Sequence, residues 1–202
     1  ANLTGKTEVG KKVAIIGAGS RNFGPLMLHD VISNVLSPGD VRGLVDTDAN
    51  ALELAEKTAQ GLLKHRSLNV RLIAATDRSL ILHNADAVLI AAEEDRIGRW
   101  KLDWEIPRRF GINHTLGENR GPAGLSHTLR TVPLVMNVAR DVEANAANAV
   151  IVVLTNPEDR VVYALSRYTS LQSYGYCDGL WDFRNDYAGV LLGFLGIAVV
   201  IR

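Results

Sequence analysis

Short apolar runs alternate with amphipathic stretches along the chain. Residues 12–17 (KVAIIG) form an apolar run closed by glycine, which predicts a buried strand. Apolar positions at helical spacing over residues 25–35 predict a helix. Residues 41–45 predict a second strand, closed by Asp46. Residues 50–63 predict an amphipathic helix, with Asp48 or Asn50 as its N-cap. Further strands are predicted over residues 70–75, 87–92, 149–155 and 171–177. Between them lie a short helix or turn over 78–84, irregular charged sequence over 93–121 with a helical piece around 100–110, and helices over 125–144 and 159–168. The strands are runs without polar alternation, as expected where both sheet faces are covered. The expected fold is therefore α/β, with a doubly wound parallel sheet of the Rossmann kind.

Composition narrows the function classes. The chain has 202 residues, 47% of them hydrophobic, enough for a substantial core. Twenty-two acidic residues balance 22 basic ones, which argues against nucleic acid or an anionic membrane as partner. Cys177 is the only cysteine, so no internal disulfide forms and a reducing cytoplasm is the expected compartment. The longest apolar stretch, residues 190–201, contains two glycines and is too short to span a bilayer.

The first candidate chemistry follows the first strand: Gly17-Ala18-Gly19-Ser20-Arg21-Asn22-Phe23-Gly24. The first glycine permits a tight turn, and the second lets backbone approach a pyrophosphate. The following helix offers unpaired N–H groups and a positive dipole end. The third glycine comes later than in the strict G-x-G-x-x-G pattern. Asp46 ends the second strand where a Rossmann fold places the carboxylate that holds the ribose hydroxyls, which favours NAD over NADP. Gly17, Gly19, Ser20, Asn22, Phe23 and Asp46 are the candidate cofactor contacts. The alternative is a ligand-free glycine turn with a solvated Asp46.

Five more motifs follow in order: Asp103-Trp-Glu-Ile-Pro-Arg-Arg-Phe-Gly111, Thr115-Leu-Gly-Glu-Asn-Arg-Gly-Pro-Ala-Gly124, Leu129-Arg-Thr-Val-Pro133, Thr155-Asn-Pro157 and Cys177-Asp-Gly179. This series resembles glycoside hydrolase family 4 from about residue 12 to residue 179. Two departures stand out: Asn119-Arg120 replaces the family's Thr-Thr, and Ala123 replaces a glycine.

The resemblance implies an NAD- and metal-dependent glycosidase. In such enzymes NAD oxidises the sugar at C3, which acidifies the proton on C2. A divalent metal, typically Mn2+, stabilises the enediolate, and the leaving group at C1 is eliminated. Water then adds and C3 is reduced again. By the same resemblance Cys177 is a metal ligand, Asp178 matches the general acid of some members, Glu118 stands near the sugar or leaving group, and Asn156 contacts the substrate. Read alone, Cys177 is equally a buried structural cysteine, Asp178 a strand-end cap, and Asn156 an Asn-Pro turn.

Residues 1–180 are expected to form the NAD-binding domain, and 181–202 to begin a C-terminal catalytic region. The second metal ligand and the base of family members lie further on. If the polypeptide ends at residue 202, nucleotide binding without turnover is expected. A small glycoside is the expected substrate, and a homo-oligomer the expected assembly. The substrate cues conflict. Thr115-Leu-Gly-Glu118 resembles members acting on unphosphorylated α-galactosides or galacturonides, and Cys177-Asp178 resembles those acting on 6-phospho-α-glucosides.

His65 and His83 are expected at the surface, and His114 and His127 to be held by local hydrogen bonds. Arg120 is expected to be a solvated charge, and Trp100, Trp104 and Trp181 to pack in a core or interface. Two other functions fit the strand–glycine–helix pattern. A hydroxy-acid or sugar dehydrogenase would accumulate NADH, and a non-catalytic NAD-binding module would release no sugar.

Overall fold

The computed structural model describes residues 10–21, 23–114, 118 and 120–176. They fall into two compact units. Unit 1 holds the described residues up to Ala91 together with Ala144–Ala149, and unit 2 holds those of Ala92–Glu143 and from Val150 onward.

Unit 1 runs β1 (Lys12–Ile16), α1 (Gly24–Asn34), β2 (Val41–Val45), α2 (Ala49–His65), β3 (Arg71–Ala75), α3 (Ser79–Leu82) and β4 (Ala87–Ile90). Its strands are parallel and lie in the order β3-β2-β1-β4. The chain steps outward from β1 to β3 and then returns to the far side of β1 as β4. Such a reversal opens a crevice at the carboxyl ends of the strands, where α/β sheets bind ligands. Val13, Ala14, Ile15, Ile16, Leu44 and Val88 are buried at the sheet centre. Leu52, Ala55, Ala59 and Leu63 form the buried face of α2, spaced as one side of a helix requires. Asp48 caps α2, accepting from the amides of Asn50 at 2.9 Å and Ala51 at 3.2 Å.

Two buried charged residues break the apolar rule in unit 1: Asp40, whose carboxylate accepts from the Lys11 amide at 2.7 Å and the Ser37 amide at 2.8 Å, and Arg42. Arg42 lies inside β2, where the two-residue pleat puts it on the face opposite Gly43. Its relative exposure is 0%, and its guanidinium has no hydrogen-bond partner among the described residues. Burial pushes its pKa down to about 10, so it stays charged at neutral pH. An unpaired buried charge costs several kcal/mol, and hydrophobic replacement of buried ions stabilises by about 1–4 kcal/mol. Arg42→Met is therefore expected to raise the urea midpoint with no change in m-value. A lowered midpoint would show that the guanidinium is satisfied in solution.

Unit 2 contains α4 (Arg96–Arg109), α5 (Gly121–Asn145, whose last two residues fall in unit 1), β5 (Val150–Val153), α6 (Glu158–Tyr168) and β6 (Gln172–Gly175). β5 and β6 pair in parallel, with Val150 opposite Gln172 and Val153 opposite Gly175. Two helices start earlier than the apolar pattern predicts. α4 begins at Arg96, after Asp95 in the left-handed region at φ +41°. α5 begins at Gly121, so Gly121-Pro122-Ala123-Gly124 is the first turn of a helix, with Ala123 and Gly124 buried. Proline is tolerated there because the first-turn N–H groups have no intrahelical partner. No helix among the described residues is long and apolar enough to cross a membrane.

Candidate functional site

In unit 1 the end of β1 turns sharply at Gly17, whose φ of +83° favours glycine. The Gly17 and Ala18 amides donate to the Val45 carbonyl at 2.9 and 3.0 Å, tying the turn to the end of β2. The Asp46 carboxylate completes the link, accepting from Gly19 N at 2.8 Å through Oδ2 and from Asp48 N at 3.0 Å through Oδ1. Gly19 packs so closely on α2 that a Cβ there would lie 2.5 Å from Ala51 Cβ and 2.8 Å from Asp46 Oδ2. Ser20 stabilises the next bend: its Oγ accepts from Phe23 N at 3.2 Å, and its carbonyl accepts from Gly24 N at 2.7 Å. α1 then starts with no side-chain cap and no acidic residue in its first turn. Its positive dipole end is thus left without a carboxylate, which suits the pyrophosphate of a dinucleotide.

Unit 2 carries a cluster built on the ends of β5 and α4. Thr155 follows β5, and its Oγ1 accepts from Ala92 N at 3.0 Å and donates to Ala92 O at 3.2 Å. This clasp sets Glu93 in place. The left-handed Asp95 then turns the chain so that Arg96 reaches back to Glu93, Nη1 to Oε2, at 3.0 Å. Arg96 Nη2 donates to Glu118 Oε1 at 2.9 Å, and the guanidinium lies 4.5 Å above the Trp100 ring. The other Glu118 oxygen accepts from Asn156 Nδ2. Both carboxylate side chains are only 15% exposed, so water screens these contacts little. His127 is fully buried, with Nε2 3.1 Å from Glu93 Oε1. That is within ion-pair range, but neither ring nitrogen makes a well-directed hydrogen bond.

Two further contacts brace this cluster. Arg130 on α5 grips Asp103 on α4 as a fork, at 2.9 and 2.7 Å. Arg160 on α6 donates to the Gly124 carbonyl at 3.2 Å and to Thr128 Oγ1 at 2.8 Å, fastening the first turn of α5. Burial is the largest single influence on the Asp103 carboxyl and pushes its pKa up. Hydrogen bonds from Arg130 and Ser126, with the charges of Arg130 and His127, outweigh it and hold the pKa below the usual carboxylate range. Glu158, which opens α6, is raised by burial and by the neighbouring charge of Asp159.

The sequence-predicted residues thus divide. Gly17, Gly19, Ser20, Phe23 and Asp46 come together on one turn in unit 1. Glu118 and Asn156, 38 residues apart, meet in unit 2. Asn22, Cys177, Asp178 and Trp181 lie outside the described residues. Among the described residues no group of three or more His, Cys, Asp or Glu is arranged to hold a metal. His65, His83 and Arg120 are exposed as expected. His127 departs from its expected local hydrogen bonding and is buried against Glu93 instead. Sequence reading missed Glu93 and Arg96. Their one local signal is the Glu-x-x-Arg spacing, which permits an i,i+3 pair at a helix start.

The chain matches the model of "Family 4 glycosyl hydrolase" over residues 12–192. It is 36% identical over 168 residues to an alpha-glucosidase of Erwinia rhapontici, covering 82% of this chain and 37% of that protein. It is 31% identical over 171 residues to an alpha-galactosidase of Bacillus subtilis, covering 83% of this chain and 39% of that protein. A 6-phospho-alpha-glucosidase from gut microorganisms, solved with NAD and Mn2+, superposes with a TM-score of 0.78 at 20% identity, over 91% of this chain and 42% of that one. The fold is therefore Rossmann-like α/β. The chain spans about two fifths of the length of these relatives. On the family match and the 36% identity together, the chain belongs to family 4 of the glycosyl hydrolases.

Proposed function

We propose that this chain is the cofactor-binding portion of a glycosidase that works with NAD and a divalent metal, Mn2+ by analogy with the structural relative. The observation that carries the reading is the β1 turn, where Asp46 holds Gly19 tight against α2 ahead of an uncapped α1. Gly17, Gly19, Ser20, Asn22 and Phe23 would meet the pyrophosphate side of the cofactor, and Asp46 its ribose. Cys177 would hold the metal, and Asp178 would serve as general acid. The chemistry supplied by the bound NAD and metal is reversible oxidation of the sugar and acidification of its C2 proton. Asn156 binds sugar: Glu118 takes one amide N–H, which leaves the carbonyl oxygen to accept from a sugar hydroxyl. Arg96 in turn holds Glu118. Glu118 therefore acts first as a positioning residue for Asn156.

Isothermal titration of the chain with NAD is expected to give one site, and Asp46→Ala is expected to weaken it about tenfold or more, the loss of a charge-assisted hydrogen bond. The absence of any NAD binding would overturn the reading. Where turnover is measured, it should need NAD, Mn2+ and a thiol reductant, and a chelator should stop it. Net NADH accumulation with substrate would point to a dehydrogenase instead.

A further inference from the structure

A buried imidazole brings polar nitrogens out of water, and these need partners. His127 on α5 is 1% exposed. Among the described residues neither of its ring nitrogens makes a well-directed hydrogen bond, and neither does Glu93 Oε1. Nε2 and that oxygen lie 3.1 Å apart, so a proton on the ring faces a carboxylate that water screens little. The other Glu93 oxygen accepts from Arg96 Nη1 at 3.0 Å, and Arg96 Nη2 donates to Glu118 Oε1 at 2.9 Å. Glu118 Oε2 in turn accepts from Asn156 Nδ2. A contiguous path of polar contacts thus runs from the His127 ring to the Asn156 amide, all within unit 2. Arg96 is its pivot. One guanidinium is divided between two carboxylates, so a change of charge at one end alters its pull on the other. Other charges bear on the ring as well. Arg130, one turn further along α5, is engaged with Asp103, whose carboxyl the charge of His127 helps to hold low. Arg160 reaches α5 on either side of His127, at Gly124 O and Thr128 Oγ1, and its cation opposes a proton on the ring. Glu93 favours one.

We propose that His127 is a positioning residue for Asn156: the charge on its ring sets, through Glu93 and Arg96, how firmly Glu118 holds the Asn156 amide. A proton on the ring gives Glu93 a second cation. Glu93 then draws less on Arg96, and the guanidinium shifts toward Glu118. The more fully neutralised Glu118 accepts less strongly from Asn156 Nδ2, because a hydrogen bond to a carboxylate owes much of its strength to the charge. Loss of the proton reverses each step. Imidazole side chains change charge between about pH 5 and 8, so the hold on Asn156 tightens as pH rises through that range. That Asn156 meets a sugar rests on the glycosidase reading. The coupling between His127 and Asn156 does not.

The test is an NMR pH titration of the whole chain from about pH 8 to 5, reading the His127 ring protons, Arg96 Nε–H and the Asn156 side-chain amide. The Asn156 amide protons are expected to move upfield in step with protonation of His127, as a weakened hydrogen bond requires. Glu93→Gln keeps the shape of the side chain and removes its charge. It should abolish the Asn156 step while His127 still titrates, and His127→Gln should abolish it too. Glu158 opens α6 just beyond Asn156, and burial with the neighbouring charge of Asp159 raises its carboxyl pKa, so it is the rival source of a pH response. Glu158→Gln should leave the step in place. A His127 that keeps one charge across the range, or an Asn156 amide that ignores its titration, would overturn the proposal. So would a step that survives Glu93→Gln or disappears in Glu158→Gln. The spectra of the parent decide even where a variant fails to fold. None of these outcomes touches NAD binding, which tests the glycosidase reading by itself.

Discussion

Gly19→Ala is expected to lower NAD affinity at least about 100-fold, close to 2.7 kcal/mol. A methyl group at this position would lie 2.5 Å from Ala51 Cβ and 2.8 Å from Asp46 Oδ2. Neither distance is possible between unbonded heavy atoms of these kinds. The first belongs to the packed start of α2, so the turn rather than the helix must give way. That displacement breaks the 2.8 Å bond from Gly19 N to Asp46 and shifts the amides that would face the pyrophosphate. Gly61→Ala is the matching control. A Cβ there meets nothing within 4 Å, and the residue lies inside α2. It should leave NAD binding unchanged and stabilise the chain by roughly 0.5–1 kcal/mol. Calorimetric titration of both variants decides the matter. Binding by Gly19→Ala within threefold of the parent would mean that the turn does not touch the cofactor.

Arg130→Met is expected to destabilise the chain by about 3–5 kcal/mol, the usual cost of stripping the partner from a buried charge. The Asp103 side chain is only 4% exposed and would face the cost of burial without its fork, whether it stays charged or takes up a proton. Against a total of about 5–15 kcal/mol for a folded domain, that is a large share. The pH dependence gives a second reading of the same pair. The folded-state pKa of Asp103 is depressed below its unfolded value, so its contribution is complete above the unfolded pKa of about 3.9. It is lost as pH falls through the lower folded value. Urea midpoints of the parent should therefore drop more steeply than those of Arg130→Met as pH falls from about 5 to 3. Parallel curves would show that the fork contributes nothing to acid stability.

The fold was legible wherever burial writes itself into composition. β1, β2, β4 and β5 are short apolar runs, and α2 shows both its buried stripe and its Asp48 cap. α4 was legible only from Trp100 onward. Its first turn, Arg96-Ile97-Gly98-Arg99, is polar with a glycine, and its entry residue Asp95 lacks a capping bond. The Gly-Pro motif looked like a loop because both residues mark turns, yet a proline in a first helical turn costs nothing. Arg42 was invisible as a buried residue: a strand covered on both faces buries whatever its pleat points inward, charged or not. For the site, the glycine turn and Asp46 were readable because their spacing is local. Glu118 and Asn156 were readable only through motif order. The ion pair between Arg96 and Glu118 spans 22 residues and leaves no periodic trace.

Asp46 has a consequence for any exchange of cofactor. Both its oxygens are engaged with backbone, one with Gly19 and one with Asp48, so the residue is a fastener before it is a selector. On the proposed reading, a 2′-phosphorylated dinucleotide would demand loss of the negative charge, and a simple deletion would also unpin the turn proposed to meet the diphosphate. If Asp46 meets the ribose as proposed, specificity and scaffold are welded at one side chain. A switch of preference would have to keep a neutral acceptor for the Gly19 amide, which the single amide oxygen of asparagine can supply at the loss of the bond from Asp48 N, together with a new cation for the added phosphate.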